Sequence, residues 1–408
     1  MEYFETLGRL TGHLWKAHNY DERTFPEVAN EALRKMPASA TTSLDEIVRY
    51  VLRSDTLPHQ ADLQSEFGQP PLTVYVGRDF RIEVLFWTGA TPAVHQHAFS
   101  GAFHVLHGSS LHLTWDFEIE AKVSIHLRFG RVSLREGELL KVGDIRPILA
   151  GDQFIHTTFH LETPTISIVV RTNNEPDQMP QYTYLPPTIC YNPREDEPLL
   201  RRKAQVLAML VNAGRTEQYD HMLKELLAEC DTCSAFHYLF QAHALKDRKA
   251  FKELLETAKS RHTDLVLRVD PAFTYARRQS AIANLRAKVK DPDVKFLLAV
   301  LINVPDRKTV LTLLKDRFPG EEPIGKFVGC MKHLSDRDLV GEKFNEPWLW
   351  ALHCLLADSG GTGDIERAFA STFGGTQATD VSSGIENLAK TIRAFWLLRP
   401  LLETPLSA

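Results

Sequence analysis

From Glu2 to His18, apolar side chains fall at positions 3, 4, 7, 10 and 14, the spacing of one helix face. Thr41-Thr42-Ser43-Leu44-Asp45-Glu46 reads as a capped helix start, with Ser43 ahead of an acidic first turn. Leu44, Ile47, Val48, Val51 and Leu52 continue as an apolar stripe, so residues 1–55 are expected to be a helical N-terminal segment.

The period changes after about residue 70. Short segments rich in Val, Ile, Phe, Leu and Thr follow one another: Leu72–Val76, Arg81–Trp87, Ala102–Leu106, Ser110–Phe117, Val123–Phe129 and Thr165–Thr172. Gly89, Gly101, Gly108, Gly130, Gly137, Gly143 and Gly151 punctuate them roughly every ten residues, the pattern of an all-β sandwich or barrel. Residues 56–172 are expected to form this β domain. Residues 173–198 carry Pro176, Pro180, Pro186, Pro187, Pro193 and Pro198, a density that predicts an unpaired, extended linker. From Leu199 to the end the helical spacing returns, as in Lys203–Asn212, Glu217–Glu229, Ala250–Ser260, Val294–Leu301, Lys308–Arg317, Pro347–Asp358 and Ile385–Leu398. No fixed repeat is present, so residues 199–408 predict an all-helical array or bundle. The expected fold class is α+β and multidomain.

Composition narrows the function classes. The 408 residues are 43% apolar and 24% charged, a globular balance. The longest apolar run, Phe296 to Ile302, is seven residues, far below the about 20 of a membrane span. Met1-Glu2-Tyr3-Phe4-Glu5 has no apolar signal region, and five scattered cysteines do not make a disulfide framework; a reducing cytoplasm is expected. Residues 1–200 hold 17 Lys+Arg against 26 Asp+Glu, a net −9, and residues 201–408 hold 30 against 26, a net +4. Neither half is basic enough for nucleic acid to be the expected partner. The basic stretch Arg277-Arg278, Arg286, Lys288 and Lys290 reads as a solvated helix face, and Cys230-Asp231-Thr232-Cys233 as helical cysteines without the second pair a zinc site needs.

Histidine is the unusual count. Eight of 17 fall between residues 95 and 160: His95, His97, His104, His107, His112, His126, His156 and His160. His95-Gln96-His97 in a strand puts both imidazoles on one face, where they can chelate one metal. His156 follows a Gly-bounded turn, Gly143 to Gly151, and a short strand, and supplies a candidate third ligand. His160 shares strand parity with His156 and is a candidate for proton transfer. His104, His107, His112 and His126 are expected to be bystanders.

Residues from about Val74 to Thr172 resemble the cupin superfamily. Gly89, His95, His97 and Gly108 match its first motif, with Gly101 standing where that motif has Glu, and Gly143 to His156 resembles the second. Within the cupins the pattern is similar to the bacterial thiol (cysteine) dioxygenase group. Thr91-Pro92-Ala93-Val94-His95-Gln96-His97, Gly101, Val105-Leu106-His107-Gly108 and Pro164-Thr165-Ile166-Ser167 carry that likeness. The family's His and Tyr on the strand after that Ser are replaced here by Val169 and Arg171.

The resemblance implies a jelly-roll barrel with a three-histidine Fe(II) site; ligand type alone also admits Zn, Ni or Cu. It implies a mononuclear non-heme iron oxygenase acting on O₂ and a small anionic molecule. Arg171, Arg78 and Ser167 are the candidate substrate contacts. Two alternatives stay open. One is a non-redox metal cupin, an isomerase or lyase. The other is a non-catalytic ligand-sensing or scaffold cupin whose helical domain dimerises or binds a protein partner.

Overall fold

The computed structural model describes residues 1–60, 63, 67–89, 93–194, 197–357 and 378–402. It opens with α1 (Glu2–Ala17), α2 (Phe25–Lys35), α3 (Ala38–Thr41) and α4 (Leu44–Arg53). Ser43 caps α4 as its sequence predicts: its Oγ accepts from Glu46 N, and Glu46 Oε2 accepts from Ser43 N at 2.9 Å.

Eleven strands follow among the described residues: β1 (Pro71–Val76), β2 (Phe80–Trp87), β3 (Val94–His97), β4 (Gly101–His107), β5 (Ser110–Lys122), β6 (Leu127–Leu140), β7 (Ile145–Ile148), β8 (Gly151–His160), β9 (Thr165–Thr172), β10 (Thr183–Leu185) and β11 (Ile189–Tyr191). One sheet has the order β1-β2-β9-β4-β7, and the remaining strands close a barrel in the order β10-β11-β6-β5-β8-β3. β5 and β6 are longer than the ten-residue rhythm suggests. Gly130 lies inside β6 rather than at a turn, and glycine is needed there because a Cβ would run into the Glu118 carbonyl oxygen.

Residues 173–198 depart most from expectation. They are not an unpaired linker: β10 pairs with β11 and with β3, and β11 pairs with β6. The prolines bracket these three-residue strands without entering them, so no ladder donor is lost within either strand.

Strand parity divides the β9 side chains. Ile166, Ile168 and Val170 are buried in one cluster with Phe4, Leu7, Trp15, Phe25, Val28 and Leu33 of the N-terminal helices. Each such side chain contributes roughly 1.5–3 kcal/mol on burial, enough to hold α1 and α2 on that face. Ser167, Val169 and Arg171 alternate to the opposite face.

The helices continue as α5 (Pro198–Asn212), α6 (Thr216–Glu229), α7 (Thr232–Leu245), α8 (Arg248–Lys259), α9 (Thr263–Lys288), α10 (Pro292–Asn303), α11 (Arg307–Arg317), α12 (Pro323–Asp336), α13 (Glu346–Ala357), α14 (Ala378–Ala394) and α15 (Arg399–Leu402). The chain forms two compact units, and the main division falls within α9, at Arg277/Arg278. In the first unit Leu127, Phe129 and Ile189 share a core with Leu207, Leu223, Phe236, Leu254 and Phe273. The second unit comprises residues 110–113, 136–140 and 278–408. Within it Trp348 stacks on Phe344 at 3.7 Å, and Phe395 meets both rings edge-on.

The arginines expected on a solvated face instead hold backbone carbonyls. Arg277 donates to the carbonyls of His243 and Lys246, Arg278 to those of Leu301 and Leu397, and Arg286 to that of Lys295. No described helix is long and apolar enough to cross a membrane.

Candidate metal centre

β3 and β8 pair antiparallel with His95 directly opposite His156. Alternation along β3 sends His97 to the same side as His95. The three ring centroids lie 4.7–5.0 Å apart. One ligand nitrogen from each ring falls within 4.8 Å of the others, and this is the one such His/Cys/Asp/Glu group found among the described residues. His97 and His156 are each 5% exposed, whereas His95 is half-buried.

The donor set suits a divalent cation. His97 Nε2 and His156 Nε2 stand 2.9 Å apart. Two neutral imidazoles share that separation only if one donates to the other, whereas a cation takes a lone pair from both; metal–nitrogen bonds are about 2.1 Å. His95 Nδ1 lies 3.1 Å from the Ala93 carbonyl, which only accepts, so Nδ1 carries the proton and Nε2 keeps its lone pair. Burial holds the His97 imidazole well below its ordinary pKa, with the nearby His95 and Arg171 adding to the effect. A buried, neutral imidazole is the ligand form.

No carboxylate joins the trio at the position where the cupin motif has Glu. β4 runs between β7 and β9, and Gly101 faces Arg171 across the β9 ladder. A Cβ at 101 would strike the Val170 carbonyl oxygen and lie 2.9 Å from Arg171 Cα. The glycine is therefore demanded by backbone approach.

Aromatic rings, which the sequence reading passed over, surround the imidazoles. Phe67 meets His95 and His97 edge-on at 5.2 and 5.8 Å. Phe99 lies 4.4 Å from His97, and Phe154 4.5 Å from His156. Phe99 and Phe154 stand two residues from His97 and His156, a signal that strand parity makes available in sequence. Phe67 has no such signal, since it belongs to no strand.

The other candidates have definite places. His160 is buried and stacks on Trp87 at 4.5 Å, and burial pushes it down to about 3. Ser167 Oγ accepts from Trp87 Nε1 at 3.0 Å, so it fixes the ring that braces His160. Arg171 lies 3.3 Å over the Phe99 ring. Its guanidinium donates to Thr172 O and Asn174 Oδ1 and faces Glu83 at 3.6 Å. Burial pushes it down to about 9, opposed by Glu83, so it stays charged at neutral pH. Arg78 is in the exposed β1–β2 turn, paired with Asp79 and over Tyr20. None of these Arg78 contacts belongs to the histidine centre. Thr91 and Pro92 lie outside the described residues.

The four expected bystanders are not members of the trio. His104 Nε2 accepts from Ser39 N at 3.3 Å, His107 is exposed, His112 bonds Glu138, and His126 Nδ1 accepts from Asn192. Cys230 and Cys233 are not in a disulfide; Cys230 follows α6 and Cys233 lies in the first turn of α7, where its sulfur accepts from Ser124 Oγ at 3.6 Å.

No protein-family model and no curated protein matches the chain. Among solved structures it is similar to the crystal structure of DMSP lyase DddQ from Ruegeria pomeroyi DSS-3. The identity is 14% and the TM-score 0.22, over 37% of this chain and 73% of that one, too loose a likeness to inform fold or activity.

Proposed function

We propose that this chain is a metal-dependent enzyme of the cupin type, a mononuclear oxygenase in which His95, His97 and His156 hold Fe(II). The observation that carries the reading is the convergence of three imidazoles from two paired strands within 4.8 Å. Gly101 closes off the carboxylate that would make a fourth ligand. A divalent cation held there supplies Lewis acidity and, as Fe(II), redox chemistry toward O₂.

Three neutral ligands leave the cation's charge uncompensated, which favours a small anionic substrate. The chain's own groups bind and exclude water. Phe67, Phe99 and Phe154 pack on the imidazoles and dry their surroundings, strengthening electrostatics at the site. His160, with a pKa near 3, is poorly matched to proton transfer at neutral pH, and we assign it and Ser167 to holding Trp87. Arg171 has its donors engaged by Glu83, Asn174 and Thr172, and we assign it to the scaffold rather than to the substrate.

Metal analysis of protein purified without chelators, combined with O₂ uptake on small thiols and carboxylates, tests this. The expected result is a single bound cation per chain, lost in His95→Ala and His97→Ala, and substrate-dependent O₂ uptake. Metal-free protein, or metal content unchanged in both variants, overturns the site. Turnover that persists without O₂ replaces the oxygenase by an isomerase or lyase.

A further inference from the structure

We propose that Tyr184, in the proline-rich segment, is a positioning residue for the metal centre. It holds the strand between the two ligands of the His-x-His pair through Gln96. The inference rests on the metal-centre reading above.

The need for such a device comes from register. His95 opposes His156, so an unbroken antiparallel ladder would set His97 against Phe154. Instead His97 opposes Gly151, and the register breaks between the two ligands. A break of this kind re-aims a side chain at the cost of ladder hydrogen bonds. Support for residues 96–98 therefore has to come from elsewhere than the β8 ladder alone.

The proline-rich segment provides it. Gln96 N donates to Tyr182 O at 3.1 Å, and Glu175 N donates to Ala98 O at 2.6 Å. Ala98 N donates to Gln181 Oε1 at 2.9 Å. The remaining contact is between side chains: Tyr184 Oη donates to Gln96 Oε1, with both residues buried. Tyr184 is in turn the cross-strand partner of the buried Cys190, which ties it into the β10–β11 hairpin. Gln96 lies between the ligands in sequence and on the opposite face of β3. Fixing its amide fixes the backbone from which both imidazoles project. Groups that orient ligands in this way are typically worth about 10–100-fold in metal affinity.

The test is anaerobic Co(II) titration of the full chain, followed by visible absorbance. Tyr184→Phe removes one oxygen, and Gln96→Met removes the acceptor from the other end, so the pair covers the case where one variant fails to fold. Each is expected to weaken Co(II) binding about tenfold or more and to change the absorption band. The double variant is expected to be no weaker than either single one. Val28→Ala, in the core of the N-terminal helices, serves as a destabilised control whose Co(II) affinity stays at the wild-type value. Wild-type affinity and band in both Tyr184→Phe and Gln96→Met overturn the inference while leaving the metal centre standing. A wild-type chain that takes up no Co(II) overturns the metal-centre reading itself, and this inference with it.

Discussion

Two polar clusters share the Phe99 ring, and they are built on opposite principles. On one side His97 stands 4.4 Å from Phe99 and converges with His95 and His156. On the other, the Arg171 guanidinium lies 3.3 Å over the same ring. The arginine side sets one carboxylate between two guanidiniums and gives the remaining donors neutral acceptors. Arg81 Nε holds Glu83 Oε1 at 2.6 Å, Glu83 faces Arg171, and Asn174 and Thr172 take two more of its donors. The histidine side gathers three groups of one kind, with no acid among them. A cluster whose donors all meet acceptors of the same chain becomes scaffold. A cluster of converging lone pairs is completed by something from outside.

The largest expected effect comes from forcing the two clusters together. Gly101→Glu places a carboxylate at the cupin motif's position, but its Cβ collides with the β9 backbone beside Arg171. Neither β4 nor β9 has room to yield, since both are interior to their sheet. Destabilisation of about 4 kcal/mol or more is expected, read by urea denaturation. A folded variant with normal stability and tighter metal binding would show that the glycine is not a steric requirement.

A pair of substitutions then separates the clusters. Arg171→Met removes the hydrogen bonds to Thr172 and Asn174 and the contact with Phe99 while Glu83 keeps Arg81, and is expected to cost about 2 kcal/mol of stability, with metal affinity held within about threefold. His97→Ala is expected to do the reverse. It should lose metal affinity by about 100-fold or more, equivalent to roughly 2.7 kcal/mol, while the metal-free fold loses far less. The two measurements are metal titration and urea denaturation on both variants. Arg171→Met that folds normally but no longer binds an anionic substrate would restore Arg171 as a clamp and end the contrast.

Much of the histidine side was legible in sequence because it rests on local rules. Strand alternation puts His95 and His97 together, and a Gly-bounded turn delivers His156. The arginine side was not legible, because its meaning depends on partners. Parity correctly turned Arg171 away from Ile168 and Val170, but the Glu83 that engages it lies on another strand. The proline-rich segment misled for a related reason. Proline density argues against long strands, and the structure uses two of three residues each, short enough to fit between prolines. The division within α9 left no mark in sequence, since the helical period runs straight through it.

The smallest expected effect concerns a buried histidine that belongs to neither cluster. His104 is fully buried, its Nε2 accepts from Ser39 N, and burial pushes its pKa down to about 4, with Asp144 opposing. In the unfolded chain the same ring titrates near 6.5. Between those values the unfolded state binds a proton that the folded state does not. The stability His104 contributes is therefore fully present above pH 6.5 and is lost as pH falls through 6.5 toward 4. At pH 5 the loss relative to neutral pH is about 2 kcal/mol. His104→Gln retains an acceptor for Ser39 and carries no proton-binding ring. Urea denaturation at pH 7 and pH 5 should show this loss in the wild type and not in the variant, over a background common to both. Equal pH dependence in the two proteins would mean that His104 takes up a proton in the fold as readily as in the unfolded chain. At pH 5 it would then be a buried cation answered by Asp144, nearer in principle to the arginine cluster than to the metal ligands.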